Sequence, residues 1–318
     1  MKTIAVVGAG FMGPGIAQVF AARGHSVRLY GRTEGKFDSA RQRIRANIGL
    51  MADYELAQKS DIDSVLSRIS MTTNLEAACG DATLVVETIV EDLSIKQDLF
   101  AKLDRICEPA TILSSNTSVL SITEIASKSI HKERIIGTHF YQPPHLVPLV
   151  EVTRTQASLD GHVDEVFRLL AECGKAPVRV LKDIPGFIAN RMQHALWREA
   201  FALIDEGVCD AETIDVAVSN SFGMRLPVLG PVANADLVGL DLTNSIHTYI
   251  LPKLNVSTTP ASTLRNHLSL GELGFKTRKG FREWTDESMT ATKDQLSTFL
   301  LEVLRLKNRW AKQNDSGS

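Results

Sequence analysis

The stretch "GTHFYQPPHLVPLVEV", residues 137–152, ends one apolar run on His139 and places Glu151 inside the next. Histidine has an ordinary pKa of ~6.5, so it can take up and return a proton near neutrality. A carboxylate bonded to its second ring nitrogen holds one tautomer and stabilises the imidazolium. At neighbouring strand ends, where water and a ligand can reach, such a pair suits moving a proton to or from a bound ligand. A lone histidine is more often a satisfied core residue, so its role depends on the elements that carry it.

Those elements begin at the N-terminus with "TIAVVGAG", a helical pattern over Phe11 to Arg23 with apolar Ile16, Val19 and Phe20, and then "HSVRLYG". Strand, glycine turn, helix and strand make one βαβ unit. Gly8-Ala9-Gly10-Phe11-Met12-Gly13 is G-x-G-x-x-G in the context that gives the pattern meaning. Gly8 makes the tight turn, Gly10 admits a pyrophosphate, Gly13 allows close helix packing, and the helix N-terminus presents free N–H groups to the phosphates. Gly8, Gly10, Phe11, Met12 and Gly13 are therefore expected to bind a dinucleotide. The second strand ends in Gly31-Arg32-Thr33 where NAD binding favours an acid. Two readings stand: Arg32 meets the 2′-phosphate of NADP, or Arg32 stacks on adenine while Glu34 reaches the ribose of NAD.

Further apolar runs at "ATLVVET", "ATILSSN", "RIIGTHF", "LVPLVEV" and "APVRVLK", with helical stretches between most of them, predict an α/β fold with a doubly wound, mainly parallel sheet. The pattern changes near Lys182. Asp183 is placed to cap a helix and Pro185 suits its first turn, with Phe187, Ile188, Met192, Leu196 and Leu203 as its apolar periodicity. Expected boundaries are thus residues 1–184 for the dinucleotide-binding domain, 185–290 for an all-helical C-terminal domain and 291–318 for a polar helical tail, with "KGFREW" the one later strand-like run. At 318 residues, two domains are the natural division.

Composition narrows the function. Thirty-five basic against 37 acidic residues, a net charge of −2, leave no basic footprint for nucleic acid. No apolar stretch approaches the ~20 residues of a membrane span. Cys79, Cys107, Cys173 and Cys209 show no C-x-x-C spacing and read as packing residues in a reducing compartment. With no signal-peptide pattern at the start, a cytoplasmic enzyme with a small-molecule partner and no metal is expected.

Six ordered segments, "GAGFMGPGIA", "VVETIVEDLSIKQDLF", "SSNTSVLSITEIA", "GTHFYQPPHLVPLVEV", "DIPGFIANRM" and "GFKTRKGF", resemble the L-3-hydroxyacyl-CoA dehydrogenases over nearly the whole chain. The resemblance implies a Rossmann domain that binds NAD, a helical C-terminal domain that dimerises, and reversible oxidation of a 3-hydroxyl to a 3-ketone. It puts the family's catalytic histidine on His139, its orienting glutamate on Glu151, and its substrate-positioning serine and asparagine on Ser118 and Asn190. Glu91, Lys96 and Asn116 fall where the family holds the cofactor. Other readings stay open at some of these positions. Ser118 precedes the S-x-x-E capping box of Ser121 and Glu124 and can serve the turn alone. Asn190 can be a plain early-helix residue, and Lys96 can sit in solvent on a capped helix.

The chain departs from the family at Gln142, where "HFFNP" has asparagine, and in a first-domain helix whose Arg43, Arg45 and Lys59 stand among acids. "QPPHLVPLVEV" and "FGMRLPVLGP" resemble the lambda-crystallin and L-gulonate 3-dehydrogenase branch. Arg225 could pair with a small carboxylate or form a surface ion pair. The expected substrate is an L-3-hydroxyacyl-CoA. The alternatives are a small free hydroxy acid, an idle crystallin-like NADPH-binding protein, and a fatty-acid oxidation subunit, which would need a hydratase domain.

Overall fold

The computed structural model describes residues 1–315, so the end of the expected tail at 316–318 lies outside the described residues. Eight strands form one sheet: β1 Thr3–Val7, β2 Ser26–Tyr30, β3 Ile69–Thr72, β4 Leu84–Glu87, β5 Ile112–Ser115, β6 Ile135–Phe140, β7 Leu149–Thr153 and β8 Ala176–Val180. Their order is β3-β2-β1-β4-β5-β6-β7-β8, parallel throughout except for the antiparallel β6–β7 pair. The order reverses between β1 and β4, the switch point at which such sheets bind ligands. Along β1, Ile4 and Val6 pack on one face while Ala5 and Val7 pack on the other, so both faces are covered and the strand reads as a continuous apolar run.

Seven strands coincide with the expected apolar runs; β3 was not foreseen. It is an edge strand of four residues in which only Ile69 is buried, too short and too wet for an alternation signal. Helix α1, Gly13–Ala21, starts two residues later than the pattern predicts, because Phe11 and Met12 belong to the glycine turn. All nine of its residues are buried, with Pro14 in its first turn. Helix α2 spans Phe37–Asp53 and packs Ala40, Ile44 and Ile48 inward.

The chain divides into two compact units, Met1–Asn190 together with the chain from Leu300 onward, and Arg191–Phe299. The expected boundaries at 184 and 290 fall before the helix Ala189–Asp205 and inside the helix Asp286–Asp315. The last helix buries Leu301 and pairs Arg305 with Glu55, both in the first unit, at 3.1 Å. The second unit is helical, and "KGFREW" gives isolated bridges, Gly274 with Lys279 and Lys279 with Glu283, in place of a strand. Among its residues only Ala202 is buried, and a cavity of about 670 Å³ opens among apolar side chains including Trp197, Phe201 and Phe281.

Asp183 corrects the expected start of the C-terminal helix. Its carboxylate accepts from the Ser121 hydroxyl at 2.6 Å and from the N–H groups of Ile122 and Thr123 at 3.1 and 2.7 Å, capping the short helix Ile122–Ile125 instead. Residues 184–188, Pro185 among them, form a turn with Gly186 at φ 76° and Phe187 at φ 48°. Removing the carboxylate strips three donors at once. Asp183→Ala is expected to lower stability by about 1–3 kcal/mol, read as a lower urea midpoint with an unchanged slope; an unmoved midpoint would deny Asp183 that role.

Candidate active site

Antiparallel pairing of β6 with β7 sets His139 directly opposite Glu151, so their side chains share a face of the sheet. His139 Nδ1 donates to the Glu151 carboxylate, with Oε2 at 2.7 Å. Glu151 is 0% exposed and His139 4%. Burial pushes the Glu151 carboxyl up, but the hydrogen bonds from His139 and from the Ala189 and Ile188 N–H groups outweigh it and hold the group below its ordinary range. Those two N–H groups reach Oε1 at 2.9 and 2.8 Å, at the start of the helix Ala189–Asp205, whose positive dipole end favours a carboxylate there. With Nδ1 occupied, the base lone pair resides on Nε2, which makes no hydrogen bond among the described residues. The ring packs against Tyr141 and Phe187 at centroid distances of 4.6 and 5.7 Å.

Asn190 lies beside the pair. Its Oδ1 accepts from the Tyr141 hydroxyl at 2.7 Å and its Nδ2 donates to the Ser118 carbonyl at 2.9 Å. Burial, aided by the Glu151 charge, pushes the Tyr141 phenol up to about 12, so it remains a donor and fixes the amide's orientation. One Nδ2 proton is left over for a ligand. Ser118 is exposed and its hydroxyl bonds to nothing among the described residues. The turn is satisfied without it: the Thr117 N–H donates to Ser115 Oγ and the Leu120 N–H to Thr117 Oγ1. His139, Glu151, Ser118 and Asn190 are thus tied into one cluster, and Tyr141, which the sequence reading passed over, is its fifth member.

A second network lies at the ends of β4 and β5. Lys96 is buried and donates to Glu87 Oε1 at 2.6 Å, with Glu91 Oε2 at 3.3 Å. Glu87, 0% exposed, also accepts from Ser115 Oγ and the Ile89 N–H, both at 2.6 Å. Burial pushes its carboxyl up against the pull of Lys96. Glu91 accepts from the Thr117 hydroxyl and the Ser118 N–H. Lys96 is therefore not in solvent; it lies beneath the site and holds the exposed edge of Glu91. Glu87 escaped notice because it sits inside an apolar strand pattern. Asn116 ties β5 to β6 by accepting from the Phe140 N–H at 2.8 Å.

The glycine turn has the shape a dinucleotide needs. Gly8 takes φ 129°, and a Cβ there would stand 2.6 Å from Thr88 Oγ1; a Cβ on Gly13 would stand 1.8 Å from the Gly8 carbonyl oxygen. A Cβ on Gly10 would meet nothing within 4 Å, which leaves the phosphate position open. Phe11 is exposed, and Met12 packs partly on the core. Arg43 of α2 donates to the Gly10 carbonyl at 2.9 Å. Arg32 is exposed and has no partner among the described residues. Arg225, in the other unit, is exposed and forms no ion pair among the described residues, so the surface-pair reading finds no partner.

Comparison with known proteins bears on the same segments. The family model "3-hydroxyacyl-CoA dehydrogenase, NAD binding domain" matches residues 3–184, and "3-hydroxyacyl-CoA dehydrogenase, C-terminal domain" matches residues 186–284. A probable 3-hydroxybutyryl-CoA dehydrogenase of Bacillus subtilis (strain 168) is 38% identical over 289 residues, 91% of this chain and 99% of the relative. The 5-formyl-3-hydroxy-2-methylpyridine 4-carboxylate 5-dehydrogenase of Mesorhizobium japonicum is 31% identical over 306 residues, 96% and 98% of the two chains. Among solved structures, a dehydrogenase acting on that pyridine carboxylate, described as an NAD+-dependent dismutase, superposes with a TM-score of 0.90 at 31% identity over 96% of this chain and 98% of its own. The (S)-3-hydroxybutyryl-CoA dehydrogenase of Ralstonia eutropha gives 0.73 at 30% identity over 90% of this chain and 100% of its own. With two family models in tandem over a sheet and a helical unit of the matching kind, the chain belongs to the 3-hydroxyacyl-CoA dehydrogenase family.

Proposed function

We propose that the protein oxidises a 3-hydroxyl to a 3-ketone, reversibly, with His139 as the general base, and the observation that carries this is the buried His139–Glu151 pair with Nε2 unpartnered. Nε2 takes the hydroxyl proton, and Glu151 stabilises the imidazolium that results. The Ser118 hydroxyl and the remaining Asn190 N–H donate to the substrate oxygen as its charge changes. Gly8, Gly10, Gly13 and the α1 N-terminus would hold the pyrophosphate of a nicotinamide cofactor, Phe11, Met12 and Asn116 would contribute to the same site, and Glu91, held by Lys96, would serve its nicotinamide end. When bound, that cofactor supplies the hydride acceptor. NAD is the family's form; NADP is a second reading, favoured by Gly31 and the unpartnered Arg32.

For the substrate, an L-3-hydroxyacyl-CoA follows from the family and from the B. subtilis relative. A small free carboxylate is the second reading. Tyr141 brings a hydroxyl where "HFFNP" has phenylalanine, Gln142 brings a longer amide where it has asparagine, and the relative with a TM-score of 0.90 is named for a pyridine carboxylate. Arg225 is the candidate partner for that carboxylate. Four intact site positions argue against an idle crystallin-like role. The helical unit, with Ala202 alone buried and Val232, Leu237, Leu240 and Tyr249 exposed, supports a homodimer that covers them. No helix among the described residues is long and apolar enough to cross a membrane; a cytoplasmic place rests on the cysteine pattern and composition.

Three measurements test this reading. His139→Gln should bind cofactor normally and lose a factor on the order of 10² to 10⁴ in turnover; near-normal turnover removes the histidine from its role. Acetoacetyl-CoA reduction assayed beside oxidation of L-gulonate and 3-hydroxybutyrate should show the CoA substrate preferred. Free-acid activity at about 10⁴ M⁻¹s⁻¹ or more with none on acetoacetyl-CoA selects the second substrate. Light scattering at micromolar concentration should give twice the 34.8 kDa chain mass, and a monomer would count against the dimer.

A further inference from the structure

Position 31 follows β2, where a side chain would face the ribose of a dinucleotide. A Cβ built there would stand 2.8 Å from Phe37 Cε1, 3.6 Å from Cζ and 3.1 Å from the Ala9 Cβ. At 2.8 Å the ring or the backbone would have to shift, and both are held. Phe37 is 8% exposed and packs in the same core cluster as Ala9 and Ala40. It is the first residue of α2, and its N–H donates to the Glu34 carbonyl. Gly31 is pinned by its own N–H, which donates to the Thr72 carbonyl at 3.1 Å. The ring therefore opposes any side chain at the strand end, and an acid could stand there only if Phe37 or the backbone shifted. The next side chain, Arg32, is exposed and unpartnered among the described residues. The nearest acid, Glu34, comes after the strand, in the exposed turn Glu34–Lys36.

We propose that Phe37 determines cofactor specificity: its ring closes position 31 to any side chain, excludes the acid that would hold a ribose 2′-hydroxyl, and leaves Arg32 to meet a 2′-phosphate. This rests on the NADP reading of Arg32. A guanidinium facing a phosphate makes charge-assisted hydrogen bonds that a neutral hydroxyl cannot match. An acid at the same place would repel the phosphate.

The test measures binding by fluorescence titration of the purified full chain with NADH and NADPH, and folding by thermal melts. Wild type should bind NADPH about tenfold or more tightly than NADH, and Arg32→Ala should remove that margin. Gly31→Asp alone should melt lower and gain no NADH affinity. Gly31→Asp with Phe37→Leu should reverse the preference in favour of NADH. Because the aspartate variant can fail to fold, Gly31→Ala is measured with and without Phe37→Leu, and its melting penalty should shrink when the ring is absent. Glu34→Gln should leave NADH binding unchanged. Equal or weaker NADPH binding by wild type defeats the phosphate reading of Arg32, and this proposal with it. Tight NADH binding by a stable Gly31→Asp protein defeats the part given to Phe37 while sparing Arg32, as does a Gly31→Ala penalty indifferent to Phe37. Loss of NADH affinity in Glu34→Gln would show that an acid does serve the ribose, and overturns the assignment.

Discussion

The carboxylate of Glu151, fully buried in the middle of β7, is the constraint on which the candidate site turns. An isolated charge there would cost several kcal/mol, and the fold offsets that cost with three donors: His139 Nδ1 and the N–H groups of Ile188 and Ala189. Each donor demands something of the backbone. The antiparallel step sets His139 opposite Glu151, whereas a one-residue slip in register would turn one of the two side chains to the other face. The two N–H groups demand that the chain turn sharply before the helix, which puts Phe187 at φ 48°. A non-glycine residue in that region is strained, and here the strain places the Phe187 ring against His139.

The loop after β5 joins this centre to the buried network at β4. Asn116 accepts from the β6 backbone, the Ser118 N–H donates to Glu91, and the Ser118 carbonyl accepts from Asn190. Glu91 is held in turn by Lys96, and Lys96 by Glu87. The segments that follow β4, β5 and β8 therefore share one chain of polar contacts that ends beside the His139–Glu151 pair. Buried networks of this kind are costly when half-satisfied, which favours a single arrangement of the side chains at the candidate site. The helical unit is built differently. Its polar ties are exposed, such as the Asp205 carboxylate accepting from the Ser262 and Thr263 N–H groups at 2.8 Å, and its apolar side chains stay largely uncovered.

Much of this was legible in the residues themselves. The glycine turn, seven of the eight strands and the pair His139 and Glu151 followed from periodicity and motif order, because backbone sterics and alternation are local properties. β3 was not legible, since an edge strand buries too little to leave a pattern. Asp183 was read as the cap of the helix that follows it in sequence, and it caps one that precedes it by some 60 residues. A carboxylate serves whichever free N–H groups the fold brings to it. Glu87 was hidden for a related reason: within an apolar strand, only its contacts with Lys96 and Ser115 explain a buried acid.

The sequence by itself determined the dinucleotide turn and the family, through residues whose meaning depends on near neighbours: glycines where no Cβ fits, and ordered motifs. Tertiary structure alone decided which groups meet. It set Tyr141 on Asn190, buried Lys96 under Glu91, freed the Ser118 hydroxyl from the turn, and pressed Phe37 against Gly31. These contacts join residues 5 to 49 positions apart. Separations of that kind carry no local signal, because the energy that selects them comes from burial and hydrogen bonding in the assembled sheet and not from the propensities of the segments that supply them.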